Sequence, residues 1–211
     1  REIAERGVVV SEFPLGTQCR AGSLCGAGLL DAGAAVASTP PASATIPPNA
    51  IPVIEYYRAD NDHYFVTADP NEVAYLDVHM RGVYERTGTV FFAYPDSFLA
   101  PPAVQPVCRF YAGGLIDSHF FTADPMECAR VAVDYATDWY FESPAIYYVA
   151  LPNAVTGACP AGTKPVYRFL NTFEISHRFT TEQTVANELS TKAGWIPEGY
   201  GPGPLYPVMC S

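Results

Sequence analysis

One unit is written three times in this chain, and that repetition limits the fold more than any other feature. The copies open IEYYRADNDHYFVTADPNE at residues 54–72, VCRFYAGGLIDSHFFTADPME at 107–127 and VYRFLNTFEISHRFTTEQ at 166–183. TADP recurs at 67–70 and 122–125. His63, His119 and His177 fall 56 and 58 residues apart, with one residue inserted after His63. The back halves correspond as well: GVYERTGTVFF around Glu85, WYFESPAIYY around Glu142 and GWIPEGYGPGPLY around Glu198. An open stack of repeats needs a polar cap at each end, whereas three copies suit a closed ring.

Each copy begins with a run dense in Val, Tyr and Phe, turns through Gly, Asp, Asn or Ser, and resumes with His and aromatics, which is the pattern of a hairpin. Asp69-Pro70-Asn71-Glu72 and Asp124-Pro125-Met126-Glu127 then put Asp at an N-cap, Pro at N1 and Glu at N3, so a helix starts there with a capping box. Val73, Leu76 and Met80, or Cys128, Val131 and Tyr135, share one face of that helix. The aromatic segment after each helix is expected to return as another strand pair. The expected fold class is α+β: three β-β-α-β-β repeats (54–106, 107–158, 159–211) in a pseudo-threefold, mostly β arrangement with short outer helices. A lone repeat has too few apolar helix positions to bury both hairpins, so the three should fold as one domain.

Residues 37–53, ASTPPASATIPPNAIPV, alternate proline with small residues, favour extended backbone and read as a linker. The net charge of −10 repels a phosphate backbone, so nucleic acid and anionic membrane are poor partners. The uncharged stretches are short or broken by proline, and none holds the roughly 18–20 consecutive apolar residues of a bilayer span, so no membrane insertion is expected. The six cysteines are even in number and none forms a CxxC pair, which suits an oxidised, secreted protein. The expected pairing is Cys19–Cys25, Cys108–Cys128 and Cys159–Cys210. Charged residues continue from Arg1 through Arg6 and no uninterrupted apolar h-region of a signal peptide follows, so the chain reads as a processed piece of a longer exported precursor.

The three histidines of the repeat raise the idea of a three-histidine metal site, but residues at matching repeat positions are more often held there by the fold. No metal and no cofactor is therefore expected, and His63, Glu85, Glu142 and Glu198 read as structural positions. Arg109 with Glu142, and Arg168 with Glu198, offer matching bidentate pairs able to hold strands together. Copy one has Glu55 where the others have Arg109 and Arg168, and no Trp where Trp139 and Trp195 stand. Aromatic residues make up 13% of the chain, enough that some should line grooves, where flat faces suit sugar rings or peptide side chains. The candidate ligand-binding groups are accordingly His119, Arg109 and Trp139 in copy two, and His177, Arg168 and Trp195 in copy three. No catalytic residue is assigned.

Two resemblances follow from these motifs. CGAGLLDAGAAV, residues 25–36, resembles the segment that closes the catalytic domain of bacterial secreted subtilisin-like serine peptidases, where a Gly-rich turn leads into a short last helix. Residues 1–36 would then be the remnant of that domain's end. The peptidase motif GTSMAAP, which carries the nucleophile, is missing: none of the GT dipeptides at Gly16, Gly88 and Gly162 is followed by serine. Residues 54–211 resemble bacterial secreted repeat domains of the VYRFYN, HFYT, WxxEG type. The match is carried by residues 166–170 with His177, by 108–111 with residues 119–122, and by Glu198-Gly199. Together they imply a secreted, non-catalytic recognition or accessory domain. Its partners would be the peptidase domain of the same precursor and a glycan or insoluble protein. A processing or export aid removed at the linker is the alternative, and an independent enzyme is the least favoured reading.

Overall fold

The computed structural model describes residues 46–199, 201 and 205–211, together with the backbone of 10–11 and 29–30. The chain divides into two compact units, Arg1–Ile46 and Pro47–Ser211. In the first, β1 (Val10–Ser11) pairs antiparallel with β2 (Leu29–Leu30). The pairing of Cys19 with Cys25 and the remaining peptidase-like residues of 25–36 lie outside the described residues.

The second unit is mostly β, with short helices and several antiparallel sheets. It begins with β3 (Ile51–Arg58) and β4 (His63–Thr67), followed by α1 (Pro70–His79) and β5 (Tyr84–Ala93). The series continues through β6 (Val104–Pro106), β7 (Cys108–Ala112), β8 (Ser118–Thr122), α2 (Pro125–Asp134), β9 (Tyr140–Ser143) and β10 (Tyr148–Ala150). Last come β11 (Pro165–Asn171), β12 (Ser176–Thr180), α3 (Gln183–Thr191), β13 (Trp195–Pro197) and β14 (Met209–Cys210). Residues 51–53, read from the sequence as the end of the linker, are strand, and Val53 is fully buried. The reason is a Pro-Val step that opens the first strand of every copy: Val53, Val107 and Val166 are all buried behind Pro52, Pro106 and Pro165.

Each first strand takes its second strand on one side, in hairpins β3–β4, β7–β8 and β11–β12. The residue before each second strand has left-handed backbone: φ is 51° at Asp62, 45° at Asp117 and 54° at Ile175. Asp tolerates that region; a β-branched Ile is strained there. On its other side the first strand takes the chain that returns from the helix, β5 on β3, β9 on β7 and β13 on β11. The expected second strand pair is corrected here. The two post-helical segments do not pair with each other but lie end to end along the first strand. Phe91 pairs with Val53, residues 146 and 147 bond to Val107, and Met209 pairs with Val166. The ladder breaks between these segments, beside Glu55 and Arg109. Such irregularities re-aim the side chain at the break.

The helix starts also differ from a simple capping box. Asp69 accepts from the Asn71 amide, and Asp124 from those of Met126 and Glu127. The N-cap amide itself is taken by threonine: Asp69, Asp124 and Glu182 donate to Thr67, Thr122 and Thr180, each at 3.0 Å. Glu72 and Glu127 are thereby released for ion pairs elsewhere.

Strands β4, β8 and β12 each contact the other two. One core draws on all three copies, with Val66, Phe121 and Phe179 among its members and an edge-to-face Phe121–Phe179 pair at 5.8 Å. The helices contribute few buried residues: Leu76 in α1, none in α2, and Ala186 and Leu189 in α3. Among the described residues two disulfides are present. Cys108–Cys128 ties β7 to α2 with Cα atoms 6.4 Å apart, and Cys159–Cys210 ties the lead-in of copy three to β14 at 5.6 Å.

Because the core is shared, a fragment holding only residues 107–158 should show no cooperative thermal transition, whereas 47–211 should melt in one. Circular dichroism would check this, and a sharp melt of the short fragment would contradict it.

Candidate functional site at the repeat junctions

The strand registers fix which residues correspond. Thr67, Thr122 and Thr180 sit opposite Ile54, Cys108 and Tyr167. Counting back from them, His119 and His177 correspond to Tyr64, not to His63: the three face Tyr111, Leu170 and Tyr57. His63 instead matches Ser118 and Ser176. Counted from the threonine, copy one has no extra residue in this strand: His63 lies one position before Tyr64, and a shift of one residue puts a strand side chain on the other face. Likewise Tyr84 faces Arg58 as Trp195 faces Asn171, so Tyr84 stands where the other copies have tryptophan. The counterpart of Glu142 and Glu198 is then Thr87, and Glu85 is an exposed residue opposite Tyr57.

These corrections reveal one arrangement at two junctions. Between copies one and two, Arg109 Nη1 meets Glu72 Oε1 at 2.9 Å, and Arg109 Nε lies 2.7 Å from Glu142 Oε2, off the hydrogen-bond direction. His119 Nε2 is 3.4 Å from the same Glu142 oxygen, and the His119 ring lies 4.8 Å from Phe65. Between copies two and three, Arg168 reaches Glu127 at 2.8 Å and Glu198 at 2.9 Å, and donates to the Phe121 carbonyl at 3.2 Å. His177 Nε2 is 3.3 Å from Glu198, and its ring is 5.0 Å from Phe120. In both, the arginine and second glutamate of one copy meet the helix-start glutamate of the copy before.

Copies three and one carry the same geometry with the charges exchanged. Arg178, in the place of Phe120, lies over the Tyr64 ring at 4.4 Å and pairs with the buried Glu55 at 3.2 Å. Thr87 donates to Glu55 at 2.6 Å. Burial pushes the Tyr64 phenol up to about 12, so it stays neutral. Two carboxylates flank the arginine at the first two junctions and a histidine stands against the second of them; at the third there is one carboxylate and no histidine.

The hydrogen bond from His119, with the Arg109 charge behind it, holds the Glu142 carboxyl below the usual glutamate range despite partial burial. For Glu198, burial is the largest influence and acts upward, but the His177 hydrogen bond and the Arg168 charge together outweigh it. His63 serves a different end of the molecule. Its Nδ1 is 2.9 Å from the Asp117 carbonyl and its Nε2 3.1 Å from that of Glu174, so it ties its own hairpin to the turns of the other two. Among the described residues no group of three or more His, Cys, Asp and Glu is placed to hold a metal ion.

The two tryptophans do not join the histidines of their own copies. Trp139 packs beside His177, ring centroids 6.2 Å apart, and Trp195 is buried beside Tyr64 at 6.1 Å. Trp139 and His177 line a pocket of about 240 Å³ between copies two and three, with Phe120, Tyr135 and Leu170 in its walls and Glu198 as its carboxylate. The sequence grouping of one histidine, one arginine and one tryptophan per copy is thus replaced by a site assembled across a junction. Glu72, Glu127, Phe120 and Arg178 were missed. The glutamates carried a signal, because TADPxE places both at the same helix position.

The family described as a domain of unknown function, DUF5648, matches residues 33–149 and again 106–202, and the chain belongs to it. Overlapping matches are what an internally repeated chain gives. No curated protein and no solved structure matches.

Two outcomes follow from the ion-pair geometry. Removing the buried cation by Arg168→Met should cost about 3–5 kcal/mol in denaturant unfolding, since it strands two carboxylates, and Arg109→Met should cost less because that site is wetter. Both second glutamates are depressed in the folded state, so their stabilisation is present above the ordinary value of 4.5 and lost as pH falls through the folded value. The melting temperature should therefore drop below that pH, and Glu142→Gln with Glu198→Gln should flatten the drop.

Proposed function

We propose that this DUF5648 chain is a non-catalytic recognition domain of a secreted subtilisin-like peptidase. It would hold a polymer, a cell-surface glycan or an insoluble protein, within reach of a catalytic domain in the same precursor. Its three β-β-α-β-β repeats close around a pseudo-threefold axis. Mutual contact of β4, β8 and β12 supports that closure, as does the cyclic order of the ion pairs, two to one, three to two and one to three. Two disulfides suit an extracellular setting.

The observation that carries the reading is the pocket beside Trp139 and His177. Aromatic and aliphatic side chains form most of its wall, and its one carboxylate, Glu198, is engaged by Arg168 and His177. A carboxylate committed in this way is poorly placed to act as general acid or base, whereas a concave aromatic wall with few polar groups is the usual form of a binding site. Tethering such a site raises the local concentration of substrate at a catalytic domain without altering its chemistry.

Retention on insoluble chitin, peptidoglycan, cellulose and keratin tests the reading. The chain should be held by one of them, and Trp139→Ala should release it with little change in melting temperature. His119→Ala should leave retention intact. Failure to be retained on any of the four, or retention unaffected by Trp139→Ala, would count against it.

A further inference from the structure

The junction between copies two and three is open where the other two are filled, and the filling group is the same in both. At the first junction, the Tyr111 ring lies 4.8 Å from His119 and its hydroxyl donates to Asp117 at 2.7 Å. Between copies three and one, the Tyr57 ring lies 4.8 Å from Tyr64, and burial together with the neighbouring Asp62 carboxylate raises its phenol pKa. Each tyrosine thus spans from the second-strand ring to the left-handed turn residue of its own hairpin. In copy three those places are Leu170 and Ile175, and both line the pocket. Tyrosine and its aspartate partner are lost together, and the space of a phenol ring is left between His177 and Ile175.

We infer that this pocket takes an aromatic side chain without a hydroxyl, a phenylalanine presented by a partner protein, in the place that the other junctions fill with a tyrosine of their own. The inference rests on the reading of the pocket as a recognition site. Its volume is ample, about 240 Å³, when an apolar cavity of about 150 Å³ already accepts benzene. Phe120 and Trp139 both present edges or faces to His177 at T-shaped angles, 70° and 62°, so a further ring joins an existing aromatic cluster. Ile175 in place of an aspartate removes the acceptor that a phenol would need, which selects against tyrosine. A sugar ring is the weaker fit, because it brings hydroxyls to every edge while Glu198 is already engaged by Arg168 and His177.

The test uses the full chain with N-acetylphenylalaninamide, N-acetyltyrosinamide and methyl β-glucoside as separate probes, read by the indole N–H resonances of Trp139 and Trp195. The phenylalanine probe should shift Trp139 and leave the buried Trp195 unmoved, and the tyrosine probe should bind more weakly. Leu170→Tyr with Ile175→Asp rebuilds the plug of the other junctions. It should weaken the phenylalanine probe by about tenfold or more without lowering the melting temperature. If that pair does not fold, Leu170→Phe fills the same space with an apolar ring and must give the same loss. A shift of Trp139 by the glucoside alone overturns the inference while leaving a recognition site. No shift with any probe removes both, and unchanged binding in the plugged variants overturns the inference.

Discussion

A guanidinium with almost no contact with solvent must be neutralised by groups that come to it, and Arg168 is neutralised from two different copies of the repeat. Its own copy supplies Glu198 and the preceding one supplies Glu127. Much of the architecture follows from that requirement. The first-strand ladder is irregular beside the corresponding residues Glu55 and Arg109, which turns the charged side chain out of the sheet and toward a neighbour. The helix-start glutamate can cross the junction because threonine has taken over the N-cap amide. Burying a charge is costly and is repaid only by well-placed partners, and neither Arg109 nor Arg168 is satisfied within its own copy alone.

The third junction shows what the fold conserves when the residues change. Arginine becomes Glu55, phenylalanine becomes Arg178, histidine becomes Tyr64, and the helix-start glutamate becomes Val185, so one cation and one carboxylate remain in contact with their roles exchanged between strands. Exchanging the arginine alone, or the phenylalanine alone, would strand a buried charge. The hairpin tips show the same linked behaviour. Arg58 donates to Asp117 and Asn171 to Asp62, whereas copy two has Ala112 and copy three Ile175 in the matching places, so both halves of the third tie are absent together. Within one chain, paired replacement at matching positions is the mark of contact between successive copies.

Hairpins, helix starts and two disulfides were legible in the sequence because each depends on local pattern: alternation, Asp-Pro caps and cysteines near the ends of their elements. The repeat itself was legible, but its exact phase was not. His63 looks like the counterpart of His119 and His177 because histidine precedes an aromatic in all three, yet the threonine that caps the helix is the better anchor, since a backbone hydrogen bond fixes its position. A separate slip of two residues made Glu85, rather than Thr87, look equivalent to Glu142. The first strand was cut short because Pro52 read as linker, although Pro-Val recurs before each copy. The Arg–Glu pairs within copies were read from spacing alone. Their partners in the preceding copy were not, because no local rule says which neighbour a helix start will face.

Divergence at Leu170 and Ile175 leaves the ion pairs of the junction intact, because those pairs rest on other residues. The Arg168 cluster, with Phe120 beneath its guanidinium at 4.7 Å, holds copies two and three together from the side of the helix start. Leu170 and Ile175 lie toward the hairpin tip, beyond His177. Losing the tyrosine plug there removes a ring contact and one hydrogen bond but strands no charge, since its aspartate partner went with it. The equivalent loss at the first junction would leave Arg58 without the Asp117 carboxylate that it reaches at 2.6 Å. At the junction of copies three and one it would take Asp62 from Asn171. Asp117 and Asp62 each take a side-chain bond from a neighbouring copy whereas Ile175 has no polar group to take one, so in copy three the plug can be withdrawn without breaking such a tie.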